Sequence, residues 1–174
     1  MVSTAELLVD AFGRVRDVVH RAVDGLDADQ LQFRVDGEAN SIAWLVWHLT
    51  RVQDSHVAEA AHTEQVWLAD GWSDRFGLPF PRQATGYGQS ADDVVAVRVE
   101  SPELLLGYHD AVHKQTVRYV EGLTDADLER IVDESWDPPV TLGVRLVSVV
   151  SDDLQHGGQA GFVRGIVTRR GTET

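Results

Sequence analysis

The stretch from 141 to 168, TLGVRLVSVVSDDLQHGGQAGFVRGIVT, limits the fold more than any other part of the chain. Thr141 follows Pro138 and Pro139 and is placed to cap a helix. Leu142, Val144, Leu146, Val147, Val149, Val150 and Leu154 then cover more than one helical face. That pattern predicts one long helix, largely buried. Asp152, Asp153, Gln155 and His156 interrupt the apolar run. Asp152 and His156 are four apart and share a face, with Ser148 a turn before them and Gln159 and Val163 beyond. A carboxylate turned into a core must be paired, neutralised or bound to a metal. Taken alone, the pair fits a hydrogen-bonded core aspartate and a satisfied histidine as well as it fits a metal, which needs a third ligand from elsewhere.

The remaining apolar periodicity gives three more long helices. Ser3 and Glu6 form a capping box for a helix from about Ala5 to Val23, ended by Gly25. Asn40 or Ser41 caps a second, reaching about Ala61, or Leu68 with a bend. Ser101-Pro102 opens a third that ends at Gly122. LDADQL (26–31) reads as a short helical turn, and LTDADLERIV (123–132) echoes LDADQLQFRV (26–35). Residues 69–91 hold Gly, Pro and the aromatics Trp72, Phe76, Phe80 and Tyr87 with no steady period, which predicts a long ordered loop. Residues 91–100 fit a strand by type and a capped helix by pattern, and helix is the better reading because a lone strand would lack a partner. SWDPPVT (135–141) links into the last helix. The expected architecture is all-α: one four-helix bundle over 1–168, with a long loop between helices 2 and 3 and a polar tail at 169–174.

With 28 acidic against 15 basic residues, a formal charge of −13 argues against nucleic acid or an anionic membrane as partner. No apolar run spans a bilayer, and Asp10 and Arg14 break the first one, so the expected compartment is the cytoplasm. The chain has no cysteine, hence no disulfide, thiolate ligand or cysteine nucleophile. Its metal ligands must be histidine and carboxylate.

His48, the histidine most surrounded by apolar residues, is the candidate third ligand. His48, Asp152 and His156 would suit zinc with a position left open, and would also accept iron, nickel or manganese. A divalent ion there would keep a net positive charge and favour an anion. His109 and His113 are a rival pair four apart, read here as a solvated stripe beside Asp110 and Lys114, and His56 and His62 as exposed. Asp153 points off the Asp152 face, toward a supporting contact or solvent. Gln159 could bond a ligand or the His156 ring. Gly157 and Gly158 are costly inside a helix unless something approaches the backbone closely. Arg164 could hold a substrate carboxylate or simply end the helix at the surface.

NSIAWLVWHLT (40–50), ATGYG (84–88) and SDDLQHGGQAGFVRG (151–165) together resemble the DinB-like family of metal-binding four-helix bundles. The resemblance covers nearly the whole chain. It implies one ligand histidine in the second helix and two ligands four apart in the last, the second followed by x-Gly-Gln: His48, Asp152 and His156, with Gly158 and Gln159. Many members have histidine at the Asp152 position. The mycothiol-dependent maleylpyruvate isomerase branch has glutamate, and aspartate keeps its charge with one methylene less reach. The resemblance thus implies a metal-dependent transferase that activates a small thiol, mycothiol foremost, toward an electrophile, with Gln159 or Arg164 orienting the anionic partner. The same ligands would also serve a hydrolase using metal-activated water, or a non-catalytic metal-binding bundle of the stress response. Family bundles occur as monomers and homodimers.

Overall fold

The protein is described by a computed structural model covering residues 2–170. Four long helices carry the fold: α1 (Thr4–Val23), α3 (Ile42–Ala61), α7 (Pro102–Val120) and α8 (Leu142–Arg170). Short helices α2 (Ala28–Gln32), α4 (Val66–Ala69), α5 (Trp72–Phe76) and α6 (Ala91–Ala96) lie between them. Strands β1 (Ile131–Asp133) and β2 (Val140–Thr141) pair antiparallel just before α8. The all-α bundle and its long loop region are as the periodicity predicts. The small β-hairpin replaces the plain link expected at 135–141.

The caps follow local chemistry. Ser3 and Glu6 close a reciprocal box on α1, and Asp27 and Gln30 do so on α2. Ser41 accepts from the Trp44 N–H, and Thr141 from the Val144 N–H. Thr124 and Asp127 exchange the same reciprocal bonds before a 3₁₀ turn, so the echo between 26–35 and 123–132 is an echo of capping. α3 stops at Ala61 because His62 takes a left-handed conformation, φ 54°. The loop after it carries α4 and α5. Its anchor is the buried Asp54, which accepts from the Val66 and Trp67 N–H groups and from the Tyr108 hydroxyl.

α8 packs on α3 and α1, and α7 packs on the same two, so α7 and α8 stand on opposite corners. Two apolar clusters fill the interior. A polar layer lies at their junction: Gln53 donates to Thr116 at 2.8 Å, and Asp153 is fully buried between Val149 and Ala160 on α8. α8 is not largely buried. Only the stripe through Leu146, Val149, Asp153, Gly157 and Ala160 faces inward, while Val144, Val147 and Leu154 are 54%, 65% and 40% exposed. The helix buries one face and leaves apolar side chains on another, which composition alone reads as burial all round. Arg169 and Arg170, expected in the tail, complete α8, and residues 171–174 lie outside the described residues.

Candidate metal centre

α3 and α8 run antiparallel along one seam, with His56 facing Arg145 near the start of α8 and His48 facing His156 two to three turns further on. The His48 and His156 rings meet edge-on, with centroids 4.7 Å apart. One ligand atom from each of His48, Asp152 and His156 lies within 4.8 Å of the others, and this is the cluster of its kind among the described residues. Donor atoms around one zinc sit about 3.4 Å apart at ordinary bond lengths. The widest pair of the set therefore has to contract by up to about 1.4 Å to close on an ion.

The histidines are oriented for ligation. His48 Nδ1 lies 2.6 Å from the Thr85 carbonyl, and His156 Nδ1 lies 2.9 Å from the Asp152 carbonyl. A carbonyl only accepts, so each Nδ1 carries a proton, and in the neutral ring Nε2 keeps its lone pair. Three bonds along α3 tie the 84–89 loop to the helix: Trp44 Nε1 to Gln89, His48 to Thr85, and Arg51 Nε to the Ala84 carbonyl. Trp44 also stacks on the His48 ring at 4.6 Å. Gly86, at φ +97°, is required there, because a Cβ would lie 2.6 Å from His48 Nδ1.

The shifts at His48 and Asp152 favour the forms that bind a metal, whereas that at His156 favours its cation, whose Nε2 proton a metal would have to displace. Burial pushes the His48 imidazole below its ordinary pKa. Asp152 raises that of His156 through its carboxylate and its carbonyl. Burial works to raise Asp152, but His156 and His48 outweigh it and hold the carboxylate below its usual range. Asp152 Oδ2 is buried without a hydrogen bond and lies 3.4 Å from His156 Nδ1, whose N–H goes to the Asp152 carbonyl. A buried anionic oxygen without a hydrogen bond, the Nε2 lone pairs of the two neutral rings and a partly open seam fit a divalent ion.

A cavity lies at each end of the seam. One, of about 480 Å³, has Val35, Leu45, Gln159, Phe162 and Val163 in its wall. The other, of about 270 Å³, includes Asp152 itself, with His56 and Arg145.

A family model described as the DinB superfamily matches residues 11–160. The chain belongs to the DinB superfamily. A solved structure titled as a conserved protein from Enterococcus faecalis superposes with a TM-score of 0.89 at 26% identity, covering 97% of this chain and 99% of that one. No curated protein sequence matches the chain.

This DinB-superfamily bundle places the other predicted residues differently. Gln159 is exposed and lines the larger cavity. Arg164 donates to the Asp24 carbonyl at 2.7 Å, at the end of α1. Gly157 meets α1, where a Cβ would lie 2.6 Å from Val18, whereas Gly158 faces open space. Three expectations are corrected. His109 is not solvated: it is fully buried, neither ring nitrogen has a hydrogen-bond partner, and burial holds its pKa down to about 3. Asp153 faces neither solvent nor the cluster. It lies on the inward stripe of α8, and burial, with Asp152 beside it, raises its pKa well above the usual range, which favours the neutral acid. His56 is half-buried, not exposed, and its Nδ1 accepts from Arg145 at 2.6 Å. Arg145 was legible as a charge inside the apolar run VRLV. The contacts of Thr85 with His48 and Asp133 with Arg145 are long-range and leave no local pattern.

Proposed function

We propose that the protein is a divalent-metal-dependent transferase joining a low-molecular-weight thiol, mycothiol in the first instance, to an electrophilic small molecule. The observation that supports this is the His48, Asp152 and His156 donor set on a seam with two cavities, one lined by Asp152 itself and the other by Gly158 and Gln159 just beyond His156. A site that joins two molecules needs room for both beside the reacting atoms. Zinc is the proposed ion, and such an ion supplies Lewis-acid chemistry, lowering the pKa of a thiol or water at its open position.

The chain's own residues do the rest. Thr85 and the Asp152 carbonyl fix the two imidazole rings, and Asp152 supplies the one anionic ligand. Gln159 orients a substrate in the larger cavity, and Arg164 acts on structure by holding the end of α1. In the overall reaction the thiol releases its proton and its sulfur forms a bond to the electrophilic carbon. The leaving group departs with the electron pair of the broken bond. No cysteine of the protein competes for the electrophile.

The test is thiol consumption by zinc-loaded protein given mycothiol and a halogenated aromatic or an epoxide. The reading requires consumption that His156→Ala abolishes. Ester or amide turnover with no thiol present would overturn it in favour of a hydrolase.

A further inference from the structure

The smaller cavity has a polar arrangement that metal ligation leaves unused. Its floor is the α3/α8 seam and one side is the β-hairpin, with Val52, Val144 and the 66%-exposed Trp136 supplying apolar surface. Asp133, on β1, receives the Arg145 guanidinium at 2.7 Å. The other terminal nitrogen of Arg145 donates to His56 Nδ1 at 2.6 Å. An imidazole that accepts at Nδ1 is neutral and carries its proton at Nε2. Burial, then the Arg145 charge, also disfavour the cation at His56. The chain Asp133–Arg145–His56 therefore fixes one ring nitrogen as a donor in the wall of a cavity that also contains Asp152.

An arginine neutralised by an aspartate needs no histidine. Nor does a helix seam need a 270 Å³ hollow over it. A mainly apolar chamber whose polar wall groups are the His56 donor, the Arg145 guanidinium, the Ser148 hydroxyl and Asp152 selects a small apolar body bearing an oxygen acceptor. We propose that this cavity binds the electrophilic substrate, a small aromatic or aliphatic carbonyl or carboxylate compound. His56 Nε2–H donates to its oxygen, and Arg145 is the positioning residue that sets the tautomer. This assignment of a substrate class rests on the transferase reading above, but the binding test does not need turnover.

The probe is benzoate, titrated calorimetrically into purified full-length protein whose zinc content is measured in parallel. Wild type should bind one benzoate per chain. His56→Phe should weaken binding about tenfold, the loss of one hydrogen bond to a charged group. His56→Gln, whose amide reaches the Nε2 position, should recover part of it. Zinc content should be the same in all three. Val144→Trp, at a half-exposed position, should fill the chamber and abolish binding, whereas Phe162→Trp, at an exposed position in the other cavity, should not. Nitrogen NMR should show His56 as the Nε2–H tautomer in wild type and a mixture in Arg145→Gln. Absence of saturable binding by wild type, equal affinity in His56→Phe, or loss with Phe162→Trp alone would overturn the proposal. Benzoate binding to protein that takes up no zinc would sustain the chamber and remove the transferase reading instead.

Discussion

The molecule holds two histidine arrangements built on the same helical spacing, and they have opposite characters. On α8, His156 follows Asp152 by four, and His48 comes across from α3 to meet them. On α7, His109 and His113 are also four apart, their rings nearly parallel at 6.4 Å. The α8 site has a carbonyl partner for each Nδ1 and a carboxylate within reach. At His109 both nitrogens are buried without a partner, and no third ligand completes a cluster among the described residues. Spacing puts two side chains on one face. A metal site needs, in addition, a facing donor from another helix and acceptors that turn the rings.

The sharpest break of this comparison is metal affinity. His48→Ala, Asp152→Ala and His156→Ala should each lower zinc affinity by about a hundredfold or more in competition with a chromophoric chelator. His109→Ala and His113→Ala should leave it unchanged. Next comes acid stability. With its folded pKa near 3 against an ordinary 6.5, His109 takes up a proton only on unfolding, so stability falls as pH drops below 6.5. The full effect, reached near pH 3, is at most about 5 kcal/mol. His109→Phe should remove that slope in urea unfolding measured between pH 6.5 and 4. A smaller effect is expected at Gly86. A methyl there must displace His48 from Thr85, so Gly86→Ala should weaken zinc binding by about ten- to a hundredfold. Comparable in size, but on stability, is Gly157→Ala, which should cost about 1–3 kcal/mol by forcing α8 away from Val18, with zinc affinity held within a few-fold.

These effects also mark what the chain discloses before it folds. The four long helices follow from caps and period, and Ser3, Ser41 and Thr141 act as their types require. His48 stood out because a histidine inside IAWLVWHLT has few bland explanations. The aspartates show where such reasoning ends. Asp152 and Asp153 differ by 100° around one helix, and the flanking apolar residues mark two faces, so their order of burial was ambiguous. Packing against α1 decides it, and that contact joins residues far apart in sequence. Arg145 is similar: VRLV shows an embedded charge, but its partners His56 and Asp133 become neighbours only when the hairpin closes on the seam.

The central claim is that a divalent ion is held by one second-helix imidazole and the acid–imidazole pair of the last helix. Anomalous diffraction at the zinc edge from metal-replete crystals tests it most directly. One peak per chain is predicted, about 2.0–2.2 Å from His48 Nε2, His156 Nε2 and an Asp152 carboxylate oxygen. A peak on His109 and His113, or none at the α3/α8 seam, would contradict it.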